Sequence, residues 1–327
     1  MSGEILVLLE HDRGTATETS YQALGFGRML LAAGVGTSIT AVLIGAAADA
    51  LASDLGAYGA QHVLLAHHDQ LSDYSPEAWG EVMAELIATR SPVAVVATGT
   101  DRGNEVLAHV GAIADLAFAA NVVDVSLSDG LTLTRVRWGG SLLEHARLDA
   151  AVYLLSGAAH TFAGESVSAD TATTEVLEPS LSESAARTRV IDRVTLAAGI
   201  TLTTAAVVVS GGRGVGSADG FAPLVELADL LGGAVGCSRV VTNNGWRPHS
   251  DQVGQTGKRI APELYIACGI SGAIQHWVGM MASKHVLAIN TDNEANMVGK
   301  AEYAVIGDLH QILPAVSDEI RRRRASA

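Results

Sequence analysis

Short apolar segments alternate with amphipathic segments through the first part of the chain. Four apolar runs predict β-strands at residues 5–9, 39–44, 62–66 and 93–98. Apolar residues recur at helical spacing in the segments between and after them, at residues 21–33, 46–55, 76–89 and 103–114. Three later segments, 121–128, 131–138 and 150–155, have the polar and apolar alternation of further strands. The strand and helix series favours a parallel, doubly wound sheet covered by helices.

The pattern changes between residues 166 and 193, where Ser, Thr, Glu and Arg dominate and the helical periodicity weakens. A second series of strands and helices follows, with predicted strands at 205–209, 234–237, 264–268, 285–289 and 303–306 and helices at 221–231, at 272–281 and at the C-terminus. We therefore predict an α/β protein of two doubly wound domains, residues 1–196 and 197–327, joined near Leu196. The second domain is predicted to be a flavodoxin-like or Rossmann-like parallel sheet.

Composition limits the compartment and the classes of partner. The formal net charge is −14, from 21 Lys and Arg against 35 Asp and Glu, which argues against nucleic acid as a general partner. Cys237 and Cys268 are the only cysteines, as expected for small core thiols in a reducing compartment. The N-terminal apolar run, 5–9, is too short for a signal peptide, and no segment has the length of a bilayer span. We expect a cytoplasmic protein without membrane insertion.

The loops that follow the predicted strands are the places to search for ligand contacts, because parallel sheets bind ligands beyond the carboxyl ends of their strands. In the first domain these loops carry no recognisable catalytic or metal-binding spacing. In the second, the segment SGGRGVGS misses the dinucleotide fingerprint at Ser217, and Thr256-Gly257-Lys258 misses the P-loop because Arg259 follows. Arg213 and Arg239 occupy equivalent positions after two strands, which favours phosphate contacts over two unrelated surface arginines.

The segment ISGAIQH forms a tight exit from a buried strand and the start of a helix. His276 lies four residues after Gly272, one helical turn on, where its imidazole could point at an anionic or electron-rich ligand. The alternative is that Ser271 caps the helix and His276 is a core histidine bonded to backbone. Asn290 and Asp308, each just past a later strand, could contact an adenine edge or a ribose, or could serve as turn and cap residues.

Several of these segments together resemble the alpha subunit of electron transfer flavoprotein, a heterodimeric FAD carrier. The resemblance rests on VVVSGGRGVGS, AVGCSRVVTNNGW, DQVGQTGKRIAPELYIACGISGAIQHWVGM and AIN, which occur in order between residues 205 and 308. In the first domain it rests on size, fold pattern and position.

The resemblance implies a non-covalently bound FAD in residues 197–327. It places Arg213 near the diphosphate or the flavin edge, Arg239 beside the ring as a positive charge, Thr256 near N5, and His276 on the ring carbonyl next to N1. The residues from Ser271 to Gln275 would line the ribityl and phosphate path. The full predicted set of cofactor contacts is Arg213, Ser238, Arg239, Gln252, Val253, Gly254, Gln255, Thr256, Ser271, Gly272, Ala273, Ile274, Gln275, His276, Asn290 and Asp308.

The resemblance also implies an electron carrier rather than a substrate-converting enzyme. The first domain would pack on a beta subunit that holds AMP, and the connector near Leu196 would act as a hinge. Electrons would come from flavin dehydrogenases, such as the acyl-CoA dehydrogenases of fatty acid oxidation, and go to a quinone oxidoreductase. Two alternatives stay open: an electron-bifurcating relative with a second FAD in the beta subunit, and a non-redox module that binds an adenine nucleotide.

Overall fold

The chain divides into two compact units, Met1–Val194 and Thr195–Ala327. The computed structural model describes residues 3–128, 130–191 and 200–325. The domain boundary predicted at Leu196 lies outside these described residues.

The first unit is built on a mixed sheet that, within the described residues, has nine strands in the order β11-β5-β4-β1-β6-β10-β7-β8-β9. A separate two-stranded hairpin comprises β2 and β3. The strands are β1 Glu4–Leu8, β2 His11–Asp12, β3 Thr15–Ala16, β4 Ser38–Ile44, β5 His62–Ala66, β6 Ala94–Thr98, β7 Phe118–Leu127, β8 Leu131–Arg137, β9 Leu142–Leu148, β10 Tyr153–Gly157 and β11 Thr173–Leu177. The helices are α1 Glu18–Ala32, α2 Pro76–Arg90 and α3 Asp101–Ala114, with 3₁₀ segments Ala46–Tyr58, Asp69–Leu71, Trp138–Gly140 and Glu183–Ala186.

The central strands of this sheet are buried on both faces, which explains their continuous apolar sequences. Along β1, Ile5 and Val7 pack in one core with Phe26 of α1, whereas Leu6 and Leu8 pack in the opposite core with α2 and α3. The two faces are therefore covered by different helices, as a doubly wound sheet requires.

Three segments of the first unit differ from the sequence prediction. Residues 46–58 form a 3₁₀ helix, whereas the apolar spacing of residues 46–55 predicted an α-helix. Residues 166–193, whose composition is typical of a solvated edge or a connector, contain β11, a mostly exposed edge strand that was not predicted as a strand and that pairs in parallel with β5. β9 was not predicted either, and it pairs antiparallel with β8 at the other edge of the sheet. Edge strands bury little apolar surface, so apolar periodicity does not reveal them.

The second unit is a parallel sheet of five strands within the described residues, in the order β13-β12-β14-β15-β16. The strands are β12 Val207–Gly211, β13 Ala234–Cys237, β14 Leu264–Cys268, β15 His285–Asn290 and β16 Tyr303–Ile306. The helices are α4 Ala222–Leu231, α5 Arg239–Asn243, α6 Ile274–Met280, α7 Asn296–Lys300 and α8 Leu309–Ala325, with 3₁₀ segments Arg213–Val215, Asp219–Phe221 and His249–Asp251.

The strand order of the second unit, 2-1-3-4-5 when its strands are counted along the chain, is the flavodoxin-like order. Alternate strand residues face opposite cores: Tyr265 and Ala267 pack with α6 and α7, and Ile266 and Cys268 pack with α4 and α8. These features confirm the predicted α/β class and the flavodoxin-like second sheet.

Candidate functional site

In the second unit the strand order reverses between β12 and β14, and we name the region beyond the carboxyl ends of these two strands the crevice. The chain passes from β12 to β13 on one side and then crosses to β14 on the other side, so the connections leave this edge in opposite directions. Open parallel sheets bind ligands at such a reversal. Three loops lie at or beside this edge, and we name them the first loop (residues 212–216), the second loop (269–273) and the third loop (252–258).

The first and second loops are bonded directly to the strand ends and to each other. The Gly212 N–H donates to the Cys268 carbonyl at 2.8 Å, and the Gly214 N–H donates to the Gly269 carbonyl at 3.0 Å. A Cβ atom on Gly212 would lie 2.3 Å from the Gly269 oxygen, so a larger residue could not occupy this position without moving a loop. The two loops therefore form one continuous wall of the crevice.

The third loop is bonded to β13 at one end and to α6 at the other. The Val253 N–H donates to Cys237 at 2.9 Å, and the Gln255 N–H donates to Gln275 at 2.7 Å. Gln255 and Thr256 are exposed, whereas Val253 and Gly254 are buried. Because the Val253 side chain packs in the core, any cofactor contact from Val253 would come from its backbone.

A buried glutamine supports the third loop from below. Gln252, 2% exposed, has its amide oxygen 2.7 Å from the Thr242 hydroxyl and its Nε2 3.0 Å from the Thr256 hydroxyl. The Thr242 hydroxyl also lies 2.9 Å from the Arg239 carbonyl, a second acceptor for its one proton. The sequence prediction counted Gln252 as a cofactor contact, but the structure places its amide between two threonines. Thr242 was missed, and its only sequence signal is its place in the short helix that follows Arg239.

Cations without a carboxylate partner lie on the loops and helix that follow the strands. Arg213 stands at the start of a 3₁₀ turn after β12, and Arg239 is the first residue of α5 after β13. Both are exposed, as is Lys258 of the third loop, and within the described residues no salt bridge joins any of the three to a carboxylate. By contrast, Arg247 pairs with Asp251 at 2.7 Å. In a chain with a net charge of −14, such cations favour an anionic ligand.

His276 is buried in the fold, 7% exposed, and not directed into solvent. Its Nε2 lies 2.8 Å from the hydroxyl of Tyr265, a fully buried residue of β14 that the sequence prediction missed. Burial lowers the pKa of His276 to about 4, and the Val253 backbone opposes this shift, although it does not reach Nδ1 with normal hydrogen-bond geometry. His276 is therefore neutral at pH 7. The predicted hydrogen bond from His276 to a ligand stays a prediction.

The second loop leads into a short helix. Gly272 is buried with a φ of 79°, and the Ser271 carbonyl accepts a hydrogen bond from Met297 at 3.1 Å. Helix α6 begins after Ala273, which occupies its N-cap position, so the alternative with Ser271 as the cap is wrong. Ile274 and Gln275 are exposed at the start of α6.

Asn290 and Asp308 already have structural partners. The Asn290 amide donates to the Ile270 carbonyl at 3.1 Å and its oxygen accepts from the Asp292 N–H at 3.1 Å. The Asp308 carboxylate accepts from the His310 N–H at 2.9 Å, at the start of α8. These contacts match the turn and cap functions that were the alternative for both residues. Contact with an adenosine group stays a prediction.

The two cysteines are buried where β13 and β14 end. Cys237 and Cys268 both lie in register with Gly211 of β12, and burial raises the pKa of each thiol to about 12. Both thiols are therefore protonated at pH 7 and are not nucleophiles. This confirms their interpretation as core thiols.

The described residues contain neither a metal site nor a membrane span. Across them, no three His, Cys, Asp or Glu side chains are grouped as metal ligands would be. Two histidines of the first unit have protein partners: His67 lies 2.8 Å from the Asp49 carboxylate, and His11 lies 2.8 Å from the Ile44 carbonyl. No helix in the described part of the chain combines the length and apolar character needed to cross a bilayer.

Comparison with known proteins identifies the family. Residues 5–182 match the electron transfer flavoprotein domain, and residues 201–281 match the electron transfer flavoprotein FAD-binding domain. The chain belongs to the electron transfer flavoprotein alpha subunit family. It is 34% identical over 325 residues to the alpha subunit of Bacillus subtilis (strain 168), with 98% of each chain covered. It is also 35% identical over 331 residues to that of Mycobacterium leprae (strain TN), with 98% of this chain and 99% of the relative covered.

A third relative carries a different name. The protein FixB of Clostridium saccharobutylicum is 35% identical over 322 residues, which cover 95% of this chain and 94% of the relative. The family accounts for an electron transfer flavoprotein role, for flavin binding by the second unit and for a companion beta subunit.

FAD suits the residues around this crevice. A diphosphate would be attracted to the unpaired cations, and the glycine wall allows backbone N–H groups to approach it closely. The Thr256 hydroxyl is exposed, and the buried Nδ1 of His276 has no hydrogen-bond partner among the described residues. Both atoms could therefore bond the polar edge of a ring.

Proposed function

We propose that this chain is the FAD-bearing subunit of a heterodimeric electron carrier in the cytoplasm. It accepts electrons from flavin dehydrogenases, including the acyl-CoA dehydrogenases of fatty acid oxidation, and delivers them to a quinone oxidoreductase. FAD is bound non-covalently by residues 197–327, and the first unit packs on a beta subunit that binds AMP. The redox chemistry belongs to the flavin, and the protein binds it and adjusts its electrostatic surroundings.

The observation that carries this proposal is that the first loop, the third loop and α5 of the FAD-binding domain each carry a cation without a carboxylate partner among the described residues, next to the glycine wall of the first and second loops. No nucleophile with a general base is needed, since an electron carrier does not cleave or form substrate bonds. The buried, protonated thiols of Cys237 and Cys268 agree with a site that has no nucleophilic step.

Different residues contact different parts of the FAD. Arg213 attracts the diphosphate, and Arg239 supplies positive charge where a reduced ring gains negative charge. Thr256 and His276 contribute neutral hydrogen bonds to the ring. The remaining contacts, along the ribityl chain and the adenosine, come from Ser238, Gln255, Ser271 to Gln275, Asn290 and Asp308.

A flavin-binding experiment tests the cofactor site. The chain purified with its beta subunit should be yellow, and Arg239→Ala should weaken FAD binding about tenfold, as expected for loss of a charge-assisted contact. Arg324→Ala, at the exposed carboxyl end of α8, changes the net charge equally and should leave the FAD dissociation constant unchanged. A folded but colourless complex would refute the proposal.

A second experiment tests the partners. The purified complex should be reduced by an acyl-CoA dehydrogenase with its substrate and reoxidised by a quinone oxidoreductase, followed by flavin absorbance. Failure of every flavin dehydrogenase tested to reduce the bound FAD would exclude this electron route. Counting flavins per heterodimer separates an ordinary carrier, with one FAD, from the bifurcating alternative, with two.

A further inference from the structure

Tyr265 places a hydroxyl group inside the apolar core of the second unit. It is fully buried in β14 among apolar side chains, and its hydroxyl oxygen lies 2.8 Å from Nε2 of His276. The two ring centroids are 6.1 Å apart and the ring planes are inclined by 53°, so the rings meet through their polar atoms instead of stacking. A phenylalanine would fill the same core, and the tyrosine adds only the hydrogen bond.

The hydrogen bond between Tyr265 and His276 has two possible directions. If Tyr265 donates, Nε2 accepts, and the single ring proton of the neutral imidazole lies on Nδ1. If Nε2 donates, the Tyr265 proton needs another acceptor, and Nδ1 carries a lone pair. Because buried polar groups are costly without partners, the groups around the two rings determine which direction is favoured.

The proton of the Tyr265 hydroxyl has Nε2 of His276 as its acceptor. The Ser210 hydroxyl also interacts with Tyr265, but its buried oxygen has no hydrogen bond of normal geometry to any described residue. Burial raises the pKa of Tyr265, and Ser210 opposes this rise, which is the effect of a donor to the phenolic oxygen and not of an acceptor. If Nε2 donated instead, the Tyr265 proton would remain in the core without a good acceptor, at a cost in free energy.

The surroundings of Nδ1 favour a proton on this nitrogen. Nδ1 is buried and has no hydrogen-bond partner within the part of the chain that the structure describes. Burial lowers the pKa of His276, and the Val253 backbone opposes this change. The Val253 N–H is already donated to Cys237 at 2.9 Å, so the group that acts on the imidazole is the Val253 carbonyl. A carbonyl oxygen attracts a ring N–H and repels a ring lone pair.

We infer that Tyr265 is a positioning residue that donates to Nε2 and so holds the neutral His276 ring with its proton on Nδ1. In this role Tyr265 acts on a ligand only through His276. The inference deepens the proposed function and rests on it for the identity of the ligand, whereas the proton position is a property of the chain itself. With the proton on Nδ1, His276 can donate to a ligand atom that carries a lone pair and cannot accept a bond from an N–H there.

NMR of the protein before FAD is added tests the position of the proton. The ¹⁵N shifts of the two nitrogens of a neutral imidazole differ strongly according to which one is protonated, and in the wild type Nδ1 of His276 should be the protonated one. The full chain is labelled with ¹⁵N at histidine and paired with its unlabelled beta subunit, and the His276 signals are those absent from His276→Leu. In Tyr265→Phe, part of the proton population should move to Nε2, because Nε2 has lost its donor.

Tyr303→Phe is the matched control. It removes a hydroxyl from β16, where Tyr303 is 60% exposed, and should leave the His276 signals unchanged. Circular dichroism checks that each variant is folded. A proton on Nε2 in the wild type would overturn the inference without any variant, and so would identical His276 signals in the wild type and in folded Tyr265→Phe.

FAD binding tests the consequence for the ligand. The dissociation constant should rise about threefold in Tyr265→Phe, because a fraction of His276 then presents a lone pair at Nδ1, and it should stay the same in Tyr303→Phe. In the His276→Leu background, Tyr265→Phe should have no further effect, since the residue through which Tyr265 acts is gone. An equal rise in both backgrounds would contradict the inference. A wild-type complex that binds no FAD would refute the proposed function and leave the NMR result in force.

Discussion

At the scale of single residues, the side chains around the crevice differ in how far their polar atoms are already used. Asn290 and Asp308 are bonded to backbone groups, and His276 uses one ring nitrogen on Tyr265. Arg213 and Arg239 are exposed and have no carboxylate partner among the described residues. The two arginines are therefore the residues most available to a ligand. Asn290, Asp308 and His276 also stabilise the loops through the hydrogen bonds they already make.

The buried imidazole of His276 makes a testable contribution to pH-dependent stability. Its pKa is lowered from 6.5 to about 4 in the folded chain. Above pH 6.5 the ring is neutral in both states, whereas between pH 6.5 and 4 only the unfolded chain takes up the proton, so the free energy of unfolding falls as the pH falls. We expect a loss of about 2 kcal/mol between pH 7 and pH 5.

Urea denaturation of the wild type and of His276→Gln at both pH values measures this contribution. The variant lacks the titrating ring, so its stability should fall less by about this amount, and other groups that titrate in this range, such as the buried His11, cancel in the comparison. The same pH dependence in both proteins would show that His276 is not a neutral core residue.

At the scale of elements, the loops rather than the strands carry the site, and their close contacts require glycine. Gly272 in the second loop has a φ of 79°, and a Cβ atom there would lie 2.3 Å from the backbone nitrogen of Met297. Gly232, at the end of α4, has a similar φ of 62° but no atom within 4 Å of its Cβ position. Comparing Gly272 with Gly232 therefore separates the effect of left-handed backbone strain from the effect of a steric collision.

Alanine substitutions at these two glycines test this requirement. Gly232→Ala should lower the free energy of unfolding by about 1–2 kcal/mol through left-handed backbone strain alone. Gly272→Ala should cost more, since the second loop must also move away from α7, and it alone should weaken FAD binding. Both quantities follow from urea denaturation and FAD titration. Equal destabilisation, with unchanged FAD binding in both, would show that the second loop tolerates displacement.

At the scale of the whole molecule, each unit contains its own sheet with a core on both faces. In the second unit, one core contains Tyr265 and Met280 and the other contains Phe221 and Leu224. Domains with a complete core of this kind can fold without their neighbours. We expect a fragment of residues 200–327 to fold and to unfold in a single cooperative thermal transition. A fragment with helical far-UV but no near-UV circular dichroism signal would contradict this.

The strands and helices that bury much apolar surface were predictable from sequence. The strands β1, β6 and β14 are apolar except for Glu4 at the start of β1 and Thr98 at the end of β6, because both faces of these strands are covered. The edge strands β9 and β11 were not predictable, since their side chains are largely exposed. They are stabilised by backbone hydrogen bonds, to which any sequence can contribute.

Some of the residues around the crevice could be predicted from the sequence, and others could not. Glycines and cations that follow strands are visible in sequence, so Arg213 and Arg239 could be selected as ligand contacts. Tyr265 and Thr242 could not, since a tyrosine in a buried strand and a threonine in a short helix look like ordinary structural residues. Their roles depend on partners, His276 and Gln252, that are ten or more positions away in the chain.

The sequence by itself determined the α/β class, the succession of elements and, through dense local motifs, the flavoprotein family. These properties depend on apolar periodicity and on short runs of residues, which are local in the chain. Tertiary structure alone decided that His276 is neutral, that the Gln252 amide lies between two threonines, and that the cations after the strands have no carboxylate partner. Burial, hydrogen-bond direction and charge pairing are set by groups distant in sequence, and only folding brings those groups together.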